Sequence, residues 1–384
     1  MKGTILYTLT FDFETSAVPK HMPYHPDSYA TLLCTRRSTG EESEWWFIHN
    51  DKLPPTRETI AEIQTEFDGA SRIIGHNIKF DLHWLRAVGI QYEHLNLYCT
   101  MVGEYIIMAQ KPDTLKLSEL CQKYNLPSKL DKVATYWESG YETTEIPTHI
   151  LAEYCHRDVL STQLLFLKQL PLLRDKGLTK LAKVEMELIK SIVDIEYNGL
   201  KLDTNKLTSA SENATIKLKQ LDKQLTSILG DINLGSNQQL SCALFGGTYK
   251  KDGIETVTKL YKAGPKRITR KCKIDVVCKG IFKPEQELGK TGYYSVDANV
   301  ITNLKTKTQQ QKLVKQLLKE RANISKLKST YYDGLLSKEI DGYVHGNINQ
   351  CLAVTGRFTS SSPNLQTMPR DKNTQVKRSI ISRY

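Results

Sequence analysis

GTILYTLTFDFETS, residues 3–16, alternates apolar and polar side chains with the period of two expected of a half-buried β-strand. In such a strand Asp12 and Glu14, two positions apart, project from the same face. Two carboxylates set among Leu9, Phe11 and Phe13 repel each other and shift each other's protonation unless a divalent cation neutralises them. Taken alone, the pair fits a solvent-facing strand edge as well as it fits a metal site.

Outward from that strand, SEWWFIHN (43–50) reads as a second strand, with the turn-prone RRSTGEES (36–43) leading into it. TRETIAEIQTEFDG (56–69) has helical apolar spacing, and RIIGHNIKFDLHWLRAVG (72–89) reads as a short strand running into a helix. Strands and helices alternate, which predicts an α/β domain. Asp81 falls at that strand-to-helix junction, where a carboxylate either enters a cleft or caps a helix. Tyr154 and Asp158 in YCHRDVL are four apart on a predicted helix, which stacks phenol and carboxylate on one face; a lone pair of this kind is usually surface. The weight lies in the combination of order, context and spacing of all five residues within one α/β region.

After HRDVLSTQLLFLKQLPLL (156–173) the strand signals fade. Long amphipathic patterns follow over Leu178–Tyr197, Leu207–Leu229 and Ile301–Leu336. Between Gly246 and Gly292 they are interrupted by a Lys-, Gly- and β-branched-rich stretch that predicts a short β-rich insertion. Residues 1–170 hold 16 Lys/Arg against 22 Asp/Glu, a balance of −6, while the remainder carries 37 against 20, or +17. An acidic half joined to a basic half suggests that one part collects carboxylates and the other grips a polyanion, although solvated charge without a partner gives the same count. The eight cysteines form no CxxC pair, so reduced structural thiols are expected rather than a disulfide framework or a zinc ribbon. No leader pattern and no membrane-length apolar run is present, so a cytoplasmic location and no membrane partner are expected.

FDFET (11–15), HNIKFDLHWL (76–85) and YCHRD (154–158) resemble, in order, the three motifs of the tyrosine-containing branch of the DEDD exonuclease superfamily. The resemblance implies a ribonuclease H-like fold, a mixed sheet flanked by helices, over residues 1–175. It implies that Asp12, Glu14, Asp81 and Asp158 bind two Mg²⁺ or Mn²⁺ ions and that Tyr154 orients the attacking water. Asn77 and Phe80 match positions that place the terminal nucleotide. The same four acids occur in RNase D-like exoribonucleases, which is the alternative reading. A DNA-binding scaffold with a vestigial nuclease fold would be expected to lack at least one of them.

In the basic half, EYNGLKLD (196–203), DINLGSNQQLSCALFGG (231–247), TGYYSVDANVITNL (291–304), ISKLKSTYYDGLL (324–336) and VHGNINQCLAVTGRFTSSSPNLQTMPR (344–370) resemble the thumb and early palm of family A DNA polymerases. The implied layout is a mainly helical thumb over 176–340, with the basic insertion 246–292, then the start of a palm over 341–384. Arg357, Asn364, Gln366 and Arg370 would meet the minor groove of primer-template DNA, Thr355 and Gly356 would allow close backbone approach, and Lys328 and Ser329 would contact phosphates. The insertion has 12 Lys/Arg against 5 Asp/Glu, which suits duplex phosphates, a processivity partner or a solubility-tuning loop. Nothing resembles the family's metal-binding palm strand or its nucleotide-binding fingers helix, so polymerisation by these residues alone is not expected. A truncated product, a fragment, or a split polymerase completed by a second polypeptide would each account for that. A proofreading 3′→5′ exonuclease acting on single-stranded 3′ ends is the activity expected.

Overall fold

The computed structural model of the protein describes residues 7–16, 22–127, 132–261, 264–369 and 374–383. The chain divides into two compact units: Met1–Leu202 with Lys338–Met368 and Ile381–Tyr384, and Asp203–Ser337 with Pro369–Ile380.

The first unit is built on a five-stranded mixed sheet. β1 (Tyr7–Thr15), β2 (Ala30–Arg37) and β3 (Glu42–Trp46) are antiparallel neighbours. After α1 (Arg57–Asp68), strand β4 (Ala70–Gly75) joins β1 in parallel, and after α2 (Lys79–Ala87) the three-residue β5 (Leu97–Cys99) extends that side. The order is β3-β2-β1-β4-β5, so β1 is the central strand. Its odd residues Leu9, Phe11 and Phe13 enter one core, where Phe11 packs edge-on against Phe67 of α1 with ring centroids 5.2 Å apart. On the other side, Leu32, Cys34, Leu151, Tyr154, Cys155 and Val159 form a second apolar layer.

No periodicity marks β2 in the sequence. The strand is buried from Ala30 to Thr35, on both faces, and therefore shows no polar alternation.

Helices α3 (Thr100–Ile107), α4 (Leu117–Lys123) and α5 (Lys132–Glu138) lead to α6 (Thr148–Asp175), a 28-residue helix that lies along β1 and β2. α7 (Thr179–Asn198) adds Ala182, Met186, Ile189 and Val193 to the main core of this unit. The later segment 338–368 returns to the same unit through β6 (Leu200–Lys201), which pairs with Tyr343–Val344.

In the second unit, α8 (Thr204–Leu229) and α9 (Asn237–Phe245) precede a hairpin of two 15-residue strands, β7 (Gly247–Tyr261) and β8 (Gly264–Cys278). The β-rich insertion expected from the sequence is this hairpin. The amphipathic pattern over Ile301–Leu336 is divided among α10 (Ala298–Asn303), α11 (Gln309–Lys326), a π-helical turn at Leu327–Tyr332 and α12 (Asp333–Leu336). The division has a local cause. Leu304 turns extended after α10, and Thr308 opens α11 with a reciprocal cap: its hydroxyl accepts from the Gln311 N–H while the Gln311 side chain accepts from the Thr308 N–H at 3.1 Å. Leu221, Leu225, Leu244, Val314, Leu317 and Leu318 form the core of this unit. Among the described residues no helix is long and apolar enough to cross a membrane.

Candidate functional site

The even residues of β1 face α6. Asp12 stands directly across the antiparallel ladder from Cys34, and Glu14 from Leu32, both members of the layer that α6 covers. Carboxylate oxygens of Asp12 and Glu14 and the Cys155 sulfur lie within 4.8 Å of one another. The Cys155 Sγ–H points to the Asp12 carbonyl at 3.6 Å, which ties the middle of α6 to the strand at the height of the acids. Burial, with Cys34 and then the Glu14 and Asp12 charges nearby, pushes the Cys155 thiol well up, so it sits there as a neutral donor.

Asp81 arrives from the opposite edge of β1. β4 ends at Gly75, so the N–H of Phe13 lies past the end of the parallel neighbour and Asp81 Oδ1 accepts from it at 3.0 Å. The chain reaches this position through Asn77, whose φ of 55° is a left-handed conformation that asparagine tolerates better than most residues. Asp81 is the third residue of α2 and 1% exposed; the N-cap position is Ile78, and the Asp81 carboxylate is buried against β1. Burial pushes its carboxyl up to about 8, against the hydrogen bond from Phe13 and its own backbone N–H. A carboxyl held this far above the ordinary range would ionise readily only beside a cation.

Tyr154 and Asp158 are buried one turn apart on α6, either side of Cys155. Tyr154 packs edge-on to Trp137 of α5 at 6.1 Å between ring centroids. The 4.8 Å set holds Asp12 and Glu14; Asp81 is bound to the backbone between them, and Asp158 and Tyr154 occupy the helix that covers them. Cys155, expected from the sequence only as a structural thiol, stands among the acids, and its position inside YCHRD is the signal that could have found it. Next to Cys155 on α6, the neighbouring Cys34, with Glu42 and Glu44 adding to the effect, pushes the His156 imidazole up to about 9 despite burial. The donor set is oxygen-rich and anionic, which fits hard divalent cations such as Mg²⁺ or Mn²⁺.

Asn77 and Phe80 line a cleft of about 300 Å³ whose other wall is Asn347–Leu352. A buried polar network fixes this region. Glu196 of α7 receives Lys79 Nζ at 2.6 Å, His83 Nε2 at 2.9 Å and the Ile348 N–H at 2.5 Å. Lys79 Nζ also donates to Asn347 Oδ1 and the Ile348 carbonyl, both at 2.8 Å. Burial pushes the Glu196 carboxyl up, but the His83 hydrogen bond and the Lys79 charge outweigh it and hold the group below its ordinary range. Lys79 and His83 flank Asp81 on α2, so Glu196 braces the helix that carries it. A lone glutamate in an amphipathic helix carries no sequence sign of this role.

The remaining sequence-predicted DNA contacts are spread out. Thr355, Gly356 and Arg357 form an exposed turn, Gly356 with φ of 70°. Asn364 accepts from the Gln366 N–H at 3.1 Å, and Gln366 Nε2 donates to the Phe358 carbonyl at 3.1 Å, so both side chains brace the same exposed loop. In the second unit, Lys328 is ion-paired with Asp333 at 2.6 Å and the Ser329 hydroxyl donates to the Ser325 carbonyl at 2.9 Å. Arg370 lies outside the described residues.

Residues 21–173 match the family described as 3'-5' exonuclease, and residues 204–384 match DNA polymerase family A. The two matches follow one another along the chain. Relatives include DNA polymerase I of Synechocystis sp., 27% identical over 321 residues, covering 79% of this chain and 28% of that protein. DNA polymerase I of Borreliella burgdorferi is 27% identical over 372 residues, covering 94% of this chain and 35% of the other. The DNA polymerase DpoZ of Acinetobacter phage SH-Ab 15497 is 26% identical over 331 residues, 79% and 48% of the respective chains. The chain thus spans about a third of the bacterial family A proteins and about half of the phage one. The fold is like that of the solved POL domain of Pol1 from M. smegmatis in complex with DNA primer-template and dNTP, with TM-score 0.69 and 21% identity over 98% of this chain and 54% of that one.

Proposed function

We propose that the chain is a 3′→5′ exonuclease that removes terminal nucleotides from DNA, and that the basic unit and residues 338–369 hold the primer-template. One observation carries this reading: Asp12 and Glu14 share the face of β1 under α6, and Asp81 is bound to the N–H of the residue between them. Asp12, Glu14, Asp81 and Asp158 would hold two Mg²⁺ or Mn²⁺ ions. Such ions, when bound, neutralise the scissile phosphate and make water acidic enough to attack it.

The chain's own residues do the rest. Tyr154, held by Trp137, orients the water; Phe80 and Asn77 seat the terminal nucleotide in their cleft; Lys79 and His83, through Glu196, keep α2 and thus Asp81 in place. Thr355, Arg357, Asn364, Gln366, Arg370 and Ser329 contact the duplex, and Lys328 does so in competition with Asp333. The match of residues 204–384 to DNA polymerase family A favours DNA over the RNA substrate of an RNase D-like enzyme.

Asp12→Ala should slow release of a 3′-labelled nucleotide about a thousandfold, roughly 4 kcal/mol of transition-state stabilisation, while leaving the melting temperature near that of the parent. Release at the parental rate would falsify the assignment. Palm and fingers residues, on whichever polypeptide carries them, complete primer extension in this reading; extension no greater in a mixture than with either component counts against it.

A further inference from the structure

The β7–β8 hairpin has two unlike faces. The register pairs Gly247 with Cys278 and continues without a shift to Tyr261 and Gly264, so odd residues of β7 share a face with even residues of β8. At its root that face packs inward: Tyr249 is 2% exposed and Val276 and Cys278 meet the apolar core of the second unit. Two of its described cations are neutralised, Lys251 by Asp231 at 2.5 Å and Arg270 by Glu255 at 3.0 Å.

The opposite face points to solvent, as Ile254 and Val277, 74% and 76% exposed, demonstrate. Here Lys273 is paired with Asp252 at 2.5 Å, but Lys250, Lys271 and Arg267 have no ion pair among the described residues. Asp275 stands across the ladder from Lys250 without closing to ion-pair distance. The three cations are evenly spaced. Lys271 is across from Ile254 and Arg267 across from Thr258, so each lies four ladder steps beyond the last, about 13 Å apart at a strand rise of about 3.4 Å. Exposed Thr256 and Thr269 face each other between Lys271 and Arg267, Thr258 stands across from Arg267, and Thr248 lies beyond Lys250.

We propose that this outward face, Lys250, Lys271 and Arg267 with the exposed threonines beside them, binds the phosphate backbone of duplex DNA. Lysine, arginine and threonine are the side chains that contact phosphate without reading sequence. A duplex carries a phosphate on each strand about every 3.4 Å of axis, so cations along an exposed ribbon neutralise phosphates without regard to base. The described residues of the face include no aromatic ring, which a single-strand groove would use to stack bases. The proposal rests on the reading that the chain works on DNA.

The test is the triple variant Lys250→Ala, Arg267→Ala, Lys271→Ala in the full chain, with Lys251→Ala, Arg270→Ala as the control from the other face. Binding of a labelled primer-template is followed by anisotropy across salt concentrations. The triple variant should lower the slope of log affinity against log salt by roughly 2 to 3, at about 0.9 for each phosphate no longer neutralised, and the control should leave it unchanged. A parental slope in the triple variant overturns the proposal, as does an equal fall in both variants. A parental slope combined with lost binding to poly-glutamate overturns it in favour of an acidic polypeptide. Hydrolysis of a short single-stranded oligonucleotide reports separately on the nuclease: its absence in the parent would sink that reading while the duplex slope still decides this one.

Discussion

β1 and the β7–β8 hairpin are both β-structure, and they do opposite things with charge. β1 is the centre of a five-stranded sheet, walled by Phe11 and Phe13 on one side and α6 on the other, and its acids have fixed neighbours. Among the described residues the hairpin pairs only with itself, and it leaves Lys250, Arg267 and Lys271 in water. Chemistry that needs atoms held to a fraction of an ångström sits on the strand whose position is over-determined. Attraction to a polyanion tolerates play, and an exposed ribbon supplies it at little cost to folding.

Packing offers the sharpest way to break this contrast. Phe11→Ala should cost about 3–5 kcal/mol in urea unfolding, because the ring is fully buried against Phe67, whereas Ile254→Ala on the exposed hairpin face should stay within about 0.5 kcal/mol. Comparable losses at the two sites would remove the distinction.

Next in size is the brace behind Asp81. Glu196→Gln should destabilise the protein by about 3 kcal/mol at pH 7, since Lys79 and His83 keep their buried positions without their anion. Glu196 is held below its ordinary value of 4.5, so its stabilising contribution is present above that value and is lost as pH falls through the lower value of the folded protein. Stability curves of parent and variant should therefore converge in acid; a constant gap from pH 7 down to 3 would show that the charge is not what matters.

A further effect, read against pH, concerns Asp81 itself. Its carboxyl is raised from 3.8 to about 8, so in chelator its contribution is complete below about pH 4, declines as pH rises, and is gone above about 8. Relative to Asp81→Asn, the parent should lose melting temperature across that window in chelator, and added Mg²⁺ should recover the loss at the alkaline end by binding the ionised form. A flat difference curve, with or without Mg²⁺, would contradict the burial-driven shift.

Much of the fold and the site is legible in the sequence because it is local. The i, i+2 acids of β1, the strand-to-helix run before Asp81, the Tyr154–Asp158 turn and the helices α7 and α8 all have short-range periodicity. β2 is hidden because burial on both faces erases alternation. The breaks before α11 depend on one cap and one extended residue, too small a signal against a continuing apolar pattern. Glu196 is invisible for a different reason: its partners are 113 to 152 positions away, and no window on the sequence spans them.

That last separation bears on how the protein is made. Glu196 leaves the ribosome with Lys79 and His83 already present, yet the Ile348 N–H that completes its coordination emerges 152 residues later. At about 5–20 residues per second the nascent first unit waits roughly 8–30 s with that wall of its cleft missing. Throughout this interval the helical unit is being synthesised, so assembly of the sequence-first domain finishes after its successor has begun.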